Sequence, residues 1–172
     1  MKLNLLCGAH IVPNWIGVDT DPPAEWQIDV RMGLPTQDAS VTHIYTQHGL
    51  EHLERADGVA LLRECQRVLK PGGLLRISIP DLDTLVKKYQ ANDIRFAESV
   101  GWLPATRCQM LNEGMRLWGH TFLYSFEELV LVLGEAGFRG PVYRMPYRQS
   151  SDPTMLLETR PDLGDLIVEV TR

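Results

Sequence analysis

E-C-Q-R-V-L-K-P-G-G-L-L-R-I-S-I-P-D-L, running from Glu64 to Leu82, decides the reading of the chain. Leu62, Cys65, Val68 and Leu69 recur at helical spacing, so the stretch begins as the end of an amphipathic helix. Lys70 stands where a cation suits the negative end of a helix. Pro71 cannot continue a helix, and Gly72-Gly73 can take the positive φ of a sharp reversal. Leu74 to Ile79 is then nearly all apolar, interrupted by Arg76 and Ser78. A short apolar run between breakers predicts a strand in an open α/β sheet. Pro80-Asp81 stops it at the edge where such sheets bind ligands.

Outward from this stretch the same alternation continues. Lys2–Leu6, Trp15–Val18, Trp26–Val30 and Val41–Thr46 read as the four preceding strands. Only about eight residues separate the first two. A parallel crossover normally needs a dozen or more residues, so the first crossover helix is expected to be reduced to a turn. The first strand opens the sequence, which leaves no room for helices before it. Glu51–Glu54 predicts a helical turn, and Asp57 is the candidate cap of the helix reaching Leu69. Leu82–Ala91 is helical, and Asn92–Leu117 is helical in pieces broken at Gly101 and Pro104. Ser125 and Glu128 form a capping box for a helix ending at Gly137. Val142–Pro146 and Leu166–Thr171 are the last strands, expected as antiparallel neighbours. The polar segment Arg148–Gly164 between them is expected to be a long loop or flexible arm.

Composition narrows the class. A chain of 172 residues suits one domain with a real core. No apolar run approaches the roughly 18 residues of a membrane span, and the N-terminus shows no signal-peptide pattern. The net charge of −5 disfavours nucleic acid as a partner. Cys7, Cys65 and Cys108 are widely spaced and odd in number, which points to reduced thiols and a cytoplasmic setting. No membrane association is expected, whereas an apolar sheet face left bare by a missing helix layer is a candidate homodimer interface.

R-V-L-K-P-G-G-L-L-R-I-S-I-P resembles the helix, turn and fifth strand of class I S-adenosylmethionine-dependent methyltransferases, in their small type 11-like branch. L-N-L-L-C-G (Leu3–Gly8) is similar to the first strand and glycine loop of that family, and G-V-D (Gly17–Asp19) to its second strand. I-D-V-R-M-G-L-P and I-Y-T-Q-H-G-L-E-H-L are similar to its third and fourth strands. H-T-F-L-Y-S-F-E-E-L followed by E-A-G-F looks like a late helix. The resemblance implies a Rossmann-like, doubly wound, mostly parallel sheet with a terminal antiparallel strand. It also implies one methyltransferase-like domain over 1–172, with a helical insertion at about 92–124, and methyl transfer from S-adenosylmethionine to a small-molecule acceptor.

The same resemblance places the cofactor against Asn4, Leu6, Gly8, Asp19, Asp29, Val30 and Gln47. A polar tail can approach backbone only where side chains are absent, hence Gly8. Leu6 departs from this, standing where the family has glycine, with a side chain that could fill the space of the methionine moiety. An acid ending the second strand, Asp19, can accept from both ribose hydroxyls, or it can serve its own turn. Asp29 lies where the family has an acid near the adenine, with the Val30 amide beside the ring.

His48, Glu51 and His52 fit H-x-x-E-H, a zinc-peptidase pattern. Gly49 weakens the helix that pattern needs, and no third ligand is marked, so no metal is expected. His48, His52 and Asp81 are the candidate general bases; a structural role for the histidines and a helix cap for Asp81 are the competing readings. Tyr89, Trp118, His120 and Tyr124 are candidates to line an acceptor pocket, or to be core. The rival function is a methyltransferase fold that has lost catalysis and serves as a binding or scaffold subunit, motivated by Leu6 and the shortened crossovers. Nucleotide binding with other chemistry lacks both G-x-G-x-x-G and a P-loop lysine.

Overall fold

The computed structural model describes residues 1–172. Seven strands form one sheet: β1 (Lys2–Leu5), β2 (Ile16–Asp19), β3 (Trp26–Gln27), β4 (Val41–Gln47), β5 (Leu69–Ile79), β6 (Tyr143–Arg144) and β7 (Leu166–Thr171). Their spatial order is β3-β2-β1-β4-β5-β7-β6. β1 pairs in parallel with both β2 (Leu3↔Ile16) and β4 (Leu3↔Ile44). The chain therefore winds outward through β2 and β3, then returns to β4 on the other side of β1. That reversal leaves a crevice beyond the carboxyl ends of β1 and β4, where open α/β sheets take ligands. β7 runs antiparallel between β5 and β6.

The β1–β2 connection carries no helix, as its length predicts. β3 is two residues long, shorter than the Trp26–Val30 expectation. Asp29 stops it by capping a 3-10 helix, Val30–Met32, its carboxylate accepting from the Arg31 amide at 3.0 Å. The Pro-Gly-Gly turn is absorbed into β5 as an irregularity. Val41 pairs with Leu69 and His43 with Leu74, so Pro71, Gly72 and Gly73 bulge out between them, with Gly72 at φ 76°.

Four helices follow: α1 (Arg55–Val68), α2 (Leu82–Gln90), α3 (Arg107–Arg116) and α4 (Phe126–Ala136). Leu61, Leu62, Cys65 and Val68 of α1 join Leu129, Val132 and Leu133 of α4 in one core with Leu3, Leu5, Ile44, Leu75 and Ile77 of the sheet. Asp57 does not cap α1; Glu54 occupies that position without a side-chain bond. Ser125 does cap α4, accepting from the Glu128 amide, and Gly137 ends it at φ 105°. Glu128 does not complete the capping box but accepts from Arg55 Nε at 2.6 Å. α2 and α3 pack on each other through Leu85 and Met110, beside the carboxyl end of the sheet. No helix is long and apolar enough to cross a membrane.

On the opposite sheet face lies the long loop that the sequence reading expects between the last two strands. Side chains alternate along β5, so Leu75, Ile77 and Ile79 face α1 and α4 while Leu74, Arg76 and Ser78 face away. That second face is covered by residues 148–164, with only a 3-10 turn at Pro153–Met155. The segment is not a free arm. Met155 packs with Val12, Trp15 and Tyr45. Glu158 accepts from Arg76 Nε at 2.7 Å, and Glu169 of β7 accepts from Arg76 Nη1 at 2.6 Å. Asp152 meets His43 of β4 at 2.8 Å. The chain thus covers part of this sheet face with its own residues.

Candidate functional site

Two neighbouring regions lie along the carboxyl edge of the sheet. The first gathers the cofactor-side candidates. Leu6 and Gly8 follow β1 with φ of 53° and 51°, so the loop turns twice through the left-handed region that glycine takes freely. A Cβ added at Gly8 would meet nothing within 4 Å. Leu6 keeps the backbone conformation of a glycine while carrying a side chain. That side chain lies against Gly49, in the turn after β4.

Asn4 is buried in β1 and donates from its amide to the His10 carbonyl at 2.8 Å, fastening the loop. Asp19 closes the same loop from β2. Its Oδ2 accepts from the Gly8 amide at 2.8 Å and its Oδ1 from the Thr20 amide at 2.7 Å. The Thr20 hydroxyl also donates to Oδ1, at 3.3 Å; a carboxylate offers about four acceptor positions, so one remains. Asp29 is engaged in a bidentate pair with Arg31, which holds its carboxyl below the usual carboxylate range. Val30 is buried beside it. Gln47 ends β4, and its Oε1 accepts from both the Thr159 amide and the Thr159 hydroxyl at 3.1 Å. This contact anchors the covering segment at the crevice, and Gln47 Nε2 is buried with no partner.

The second region is a cavity of about 330 Å³ between the sheet edge and α2–α3. His48, His52, Asp81, Trp118 and His120 line it, joined by Asp165. Asp81 is fully engaged. It caps α2 through the Asp83 amide, accepts from the Thr84 hydroxyl and pairs with Arg144. Trp118 is 55% exposed, an aromatic wall open to solvent. Tyr89 and Tyr124 are not part of this cavity. Tyr89 lies under the Arg107 guanidinium, 5.0 Å from its ring centroid. Tyr124 is core: fully buried, with its hydroxyl against Gly58 and its pKa pushed up to about 12 by burial.

The histidines converge on one carboxylate. His48 follows β4 at φ 50°, and Leu50–His52 form a 3-10 turn, not the α-helix that the H-x-x-E-H pattern needs. Glu51 Oε1 lies 3.5 Å from His48 Nδ1, 4.0 Å from His52 Nε2 and 3.9 Å from His120 Nε2. Glu51 is fully buried and neither carboxylate oxygen has a hydrogen-bond partner. Burial raises its carboxyl, and burial lowers the His120 imidazole. Asp165 holds His48 Nε2 at 2.8 Å, and the Gly114 carbonyl holds His120 Nδ1 at 2.9 Å. The sequence reading singled out His48, His52 and His120 separately, but not Asp165, which comes from the strand-flanking loop before β7. No local pattern marks it.

The strand order, with an antiparallel β7 between β5 and β6, is the doubly wound, mostly parallel sheet that the sequence resemblance implies. Residues 11–77 match the methyltransferase domain family. Over 102 residues the chain is 33% identical to a ubiquinone/menaquinone biosynthesis C-methyltransferase of Caulobacter vibrioides, covering 56% of this chain and 40% of that protein. The chain thus spans well under half the length of the curated relatives it matches. Among solved structures, it is similar to a Thermotoga maritima S-adenosylmethionine-dependent methyltransferase described as a possible histamine N-methyltransferase. That match has a TM-score of 0.60 at 19% identity, covering 99% of this chain and 81% of the other. It is also similar to the 1,6-didemethyltoxoflavin-N1-methyltransferase of Burkholderia thailandensis, solved with S-adenosylhomocysteine and its acceptor. Here the TM-score is 0.56 at 16% identity, covering 99% and 70%.

Proposed function

We propose that the protein transfers a methyl group from S-adenosylmethionine to a small acceptor held in the cavity beside His48, His52, Trp118 and His120. One observation carries the reading: at the crevice made by the strand reversal, a left-handed loop presents Gly8 with open space over its Cα, and Asp19 holds that loop at 2.8 Å. This fits the cofactor, because backbone approach is open at Gly8 and Asp19 retains an acceptor position for a ribose hydroxyl, with a second freed when the longer Thr20 hydroxyl contact gives way. Asn4 stabilises the loop from below, and Gln47 offers an unpartnered amide nitrogen from β4. Asp29 is the weakest member of this set, since Arg31 already occupies both its oxygens.

When bound, the cofactor supplies a sulfonium-activated methyl group for in-line displacement. The chain's part is alignment and, for an N–H or O–H acceptor, proton removal. Trp118 offers a flat apolar wall, and the histidine cluster is the proton-accepting side of the cavity. Asp81 serves the cavity as a helix cap and ion-pair partner and not as its base. A cytoplasmic setting suits the three free cysteines.

Calorimetric titration with S-adenosylmethionine and S-adenosylhomocysteine tests the reading. Saturable binding of both is expected. A well-folded sample that binds neither at millimolar ligand overturns it in favour of a non-catalytic binding or scaffold role, for which the left-handed Leu6 would then be the reason.

A further inference from the structure

We infer that Glu51, His52 and His120 form a site for a zinc-class divalent cation, with His48 as its flanking imidazole. One ligand atom from each of Glu51, His52 and His120 lies within 4.8 Å of the other two, and Glu51 Oε1 is 4.0 Å from His52 Nε2 and 3.9 Å from His120 Nε2. Ligand atoms around tetrahedral zinc sit roughly 3.3 Å apart, given bonds near 2 Å. Closing a separation of 4.8 Å to that value takes a side-chain shift of roughly 0.7 Å on each of two ligands.

Hydrogen bonding argues the same way, independently of the spacing. A backbone carbonyl can only accept, so the bond from His120 Nδ1 to Gly114 O fixes the proton on Nδ1. In the neutral ring, Nε2 then presents a lone pair towards Glu51. Asp165 likewise draws the proton of His48 to Nε2 and turns its Nδ1 lone pair towards the same carboxylate. Glu51 is completely buried and has no donor on either oxygen. Lone pairs and a carboxylate converging without a donor repel one another unless a proton or a cation lies between them, and a single divalent cation meets all of them at once. Orientation of a ligating imidazole by a carboxylate or a backbone carbonyl on its far nitrogen is the arrangement that metal sites use.

Two histidines and one glutamate leave a fourth position open, as catalytic zinc sites do. His52 and His120 both line the cavity, and His52 is the most exposed of the set, its side chain 37% accessible, so a cation held between them would lie at the cavity wall. The cation would therefore touch whatever occupies that cavity. If methyl transfer is the activity, the cation would polarise an oxygen or nitrogen of the acceptor and so ease its proton loss, in place of proton acceptance by His52 and His120, whose lone pairs it would take. Cation binding itself does not depend on that activity. H-x-x-E-H is thus used differently from its peptidase form: Glu51 is a ligand, and His120, remote in sequence, is the missing third donor.

The test is titration of chelator-stripped protein with Co²⁺, followed by visible absorption, and then displacement by Zn²⁺. One equivalent is expected to bind with the intense bands of a low-coordinate site. Glu51→Gln and His120→Gln are expected to weaken binding by about 100-fold or more, and Asp165→Asn, which touches only the flanking His48, by less than roughly 10-fold. His43→Gln, whose histidine lies on the other sheet face against Asp152, should leave binding unchanged. Wild-type protein that takes up no stoichiometric metal at micromolar concentration overturns the inference without recourse to any variant, and assigns the cluster to a protonated Glu51. Undiminished binding in a folded His120→Gln protein overturns the donor set.

Discussion

Leu6 lies so close over Gly49 that a methyl group added at Gly49 would come within 2.5 Å of the Leu6 Cβ. The contact joins the loop after β1 to the turn after β4, across the strand reversal itself. It is also the place where a left-handed leucine replaces the glycine that the resemblance implies. Left-handed backbone costs a side-chain-bearing residue roughly 1–2 kcal/mol, and packing on Gly49 offsets part of that cost. Gly49→Ala should therefore destabilise the fold by about 1–3 kcal/mol through overpacking. Leu6→Gly should relieve both the clash and the strain. The double variant is expected to be nearly as stable as Leu6→Gly alone, as denaturant unfolding would show. Additive losses in the double variant would mean that the two residues do not constrain one another. Leu6→Gly should also bind S-adenosylhomocysteine at least as tightly as wild type.

The Arg76 guanidinium is completely buried between Glu158 and Glu169. Removing one partner of a buried ion group leaves uncompensated charge, at a cost of about 3–5 kcal/mol. Glu158→Ala should show a loss of that size in equilibrium unfolding and detach residues 148–164 from the sheet, raising their hydrogen exchange. A loss within 1 kcal/mol would show that the covering segment is not held by Arg76.

Asp152 fastens the same segment to His43. Its pKa is held down first by the Thr154 amide, then by the Thr154 hydroxyl and His43. A depressed folded pKa contributes stability above the unfolded value near 4 and loses it as pH falls through the folded value. Asp152→Asn should thus be less stable than wild type at neutral pH, and the difference should shrink as pH falls below about 4. Unfolding midpoints measured across that range check both the sign and the window.

Tyr124 carries a buried hydroxyl without a partner. Tyr124→Phe removes a polar group that costs about 1–3 kcal/mol to bury unpaired. Stability is expected to stay equal or rise, with ligand binding unchanged. A loss of acceptor or cofactor binding in a folded variant would return Tyr124 to the site.

Much of this architecture was legible locally. Strands and helices announce themselves by periodicity and breakers, and five motifs in order around Gly8, Asp19 and Pro71-Gly72-Gly73 imply the strand reversal. The covering segment was not legible, because its polar residues are buried only by Arg76 and His43, partners that no local pattern connects to Glu158 and Asp152. The cavity was legible in halves. H-G-L-E-H stands out as a pattern, but its third imidazole arrives from beyond α3, oriented by a backbone carbonyl that leaves no trace in sequence. Tyr89 and Tyr124 failed as pocket residues for the ordinary reason that aromatics on packed elements face a core.

Diffraction from a crystal grown with S-adenosylhomocysteine tests the central claim most directly. The account predicts the ribose hydroxyls within hydrogen-bond distance of the Asp19 carboxylate, the amino-acid tail over Gly8, and the sulfur directed towards the cavity of His48 and His120. Ligand density elsewhere, or a crevice that stays closed by the Gly8–Asp19 and Gln47–Thr159 contacts at saturating ligand, would contradict it.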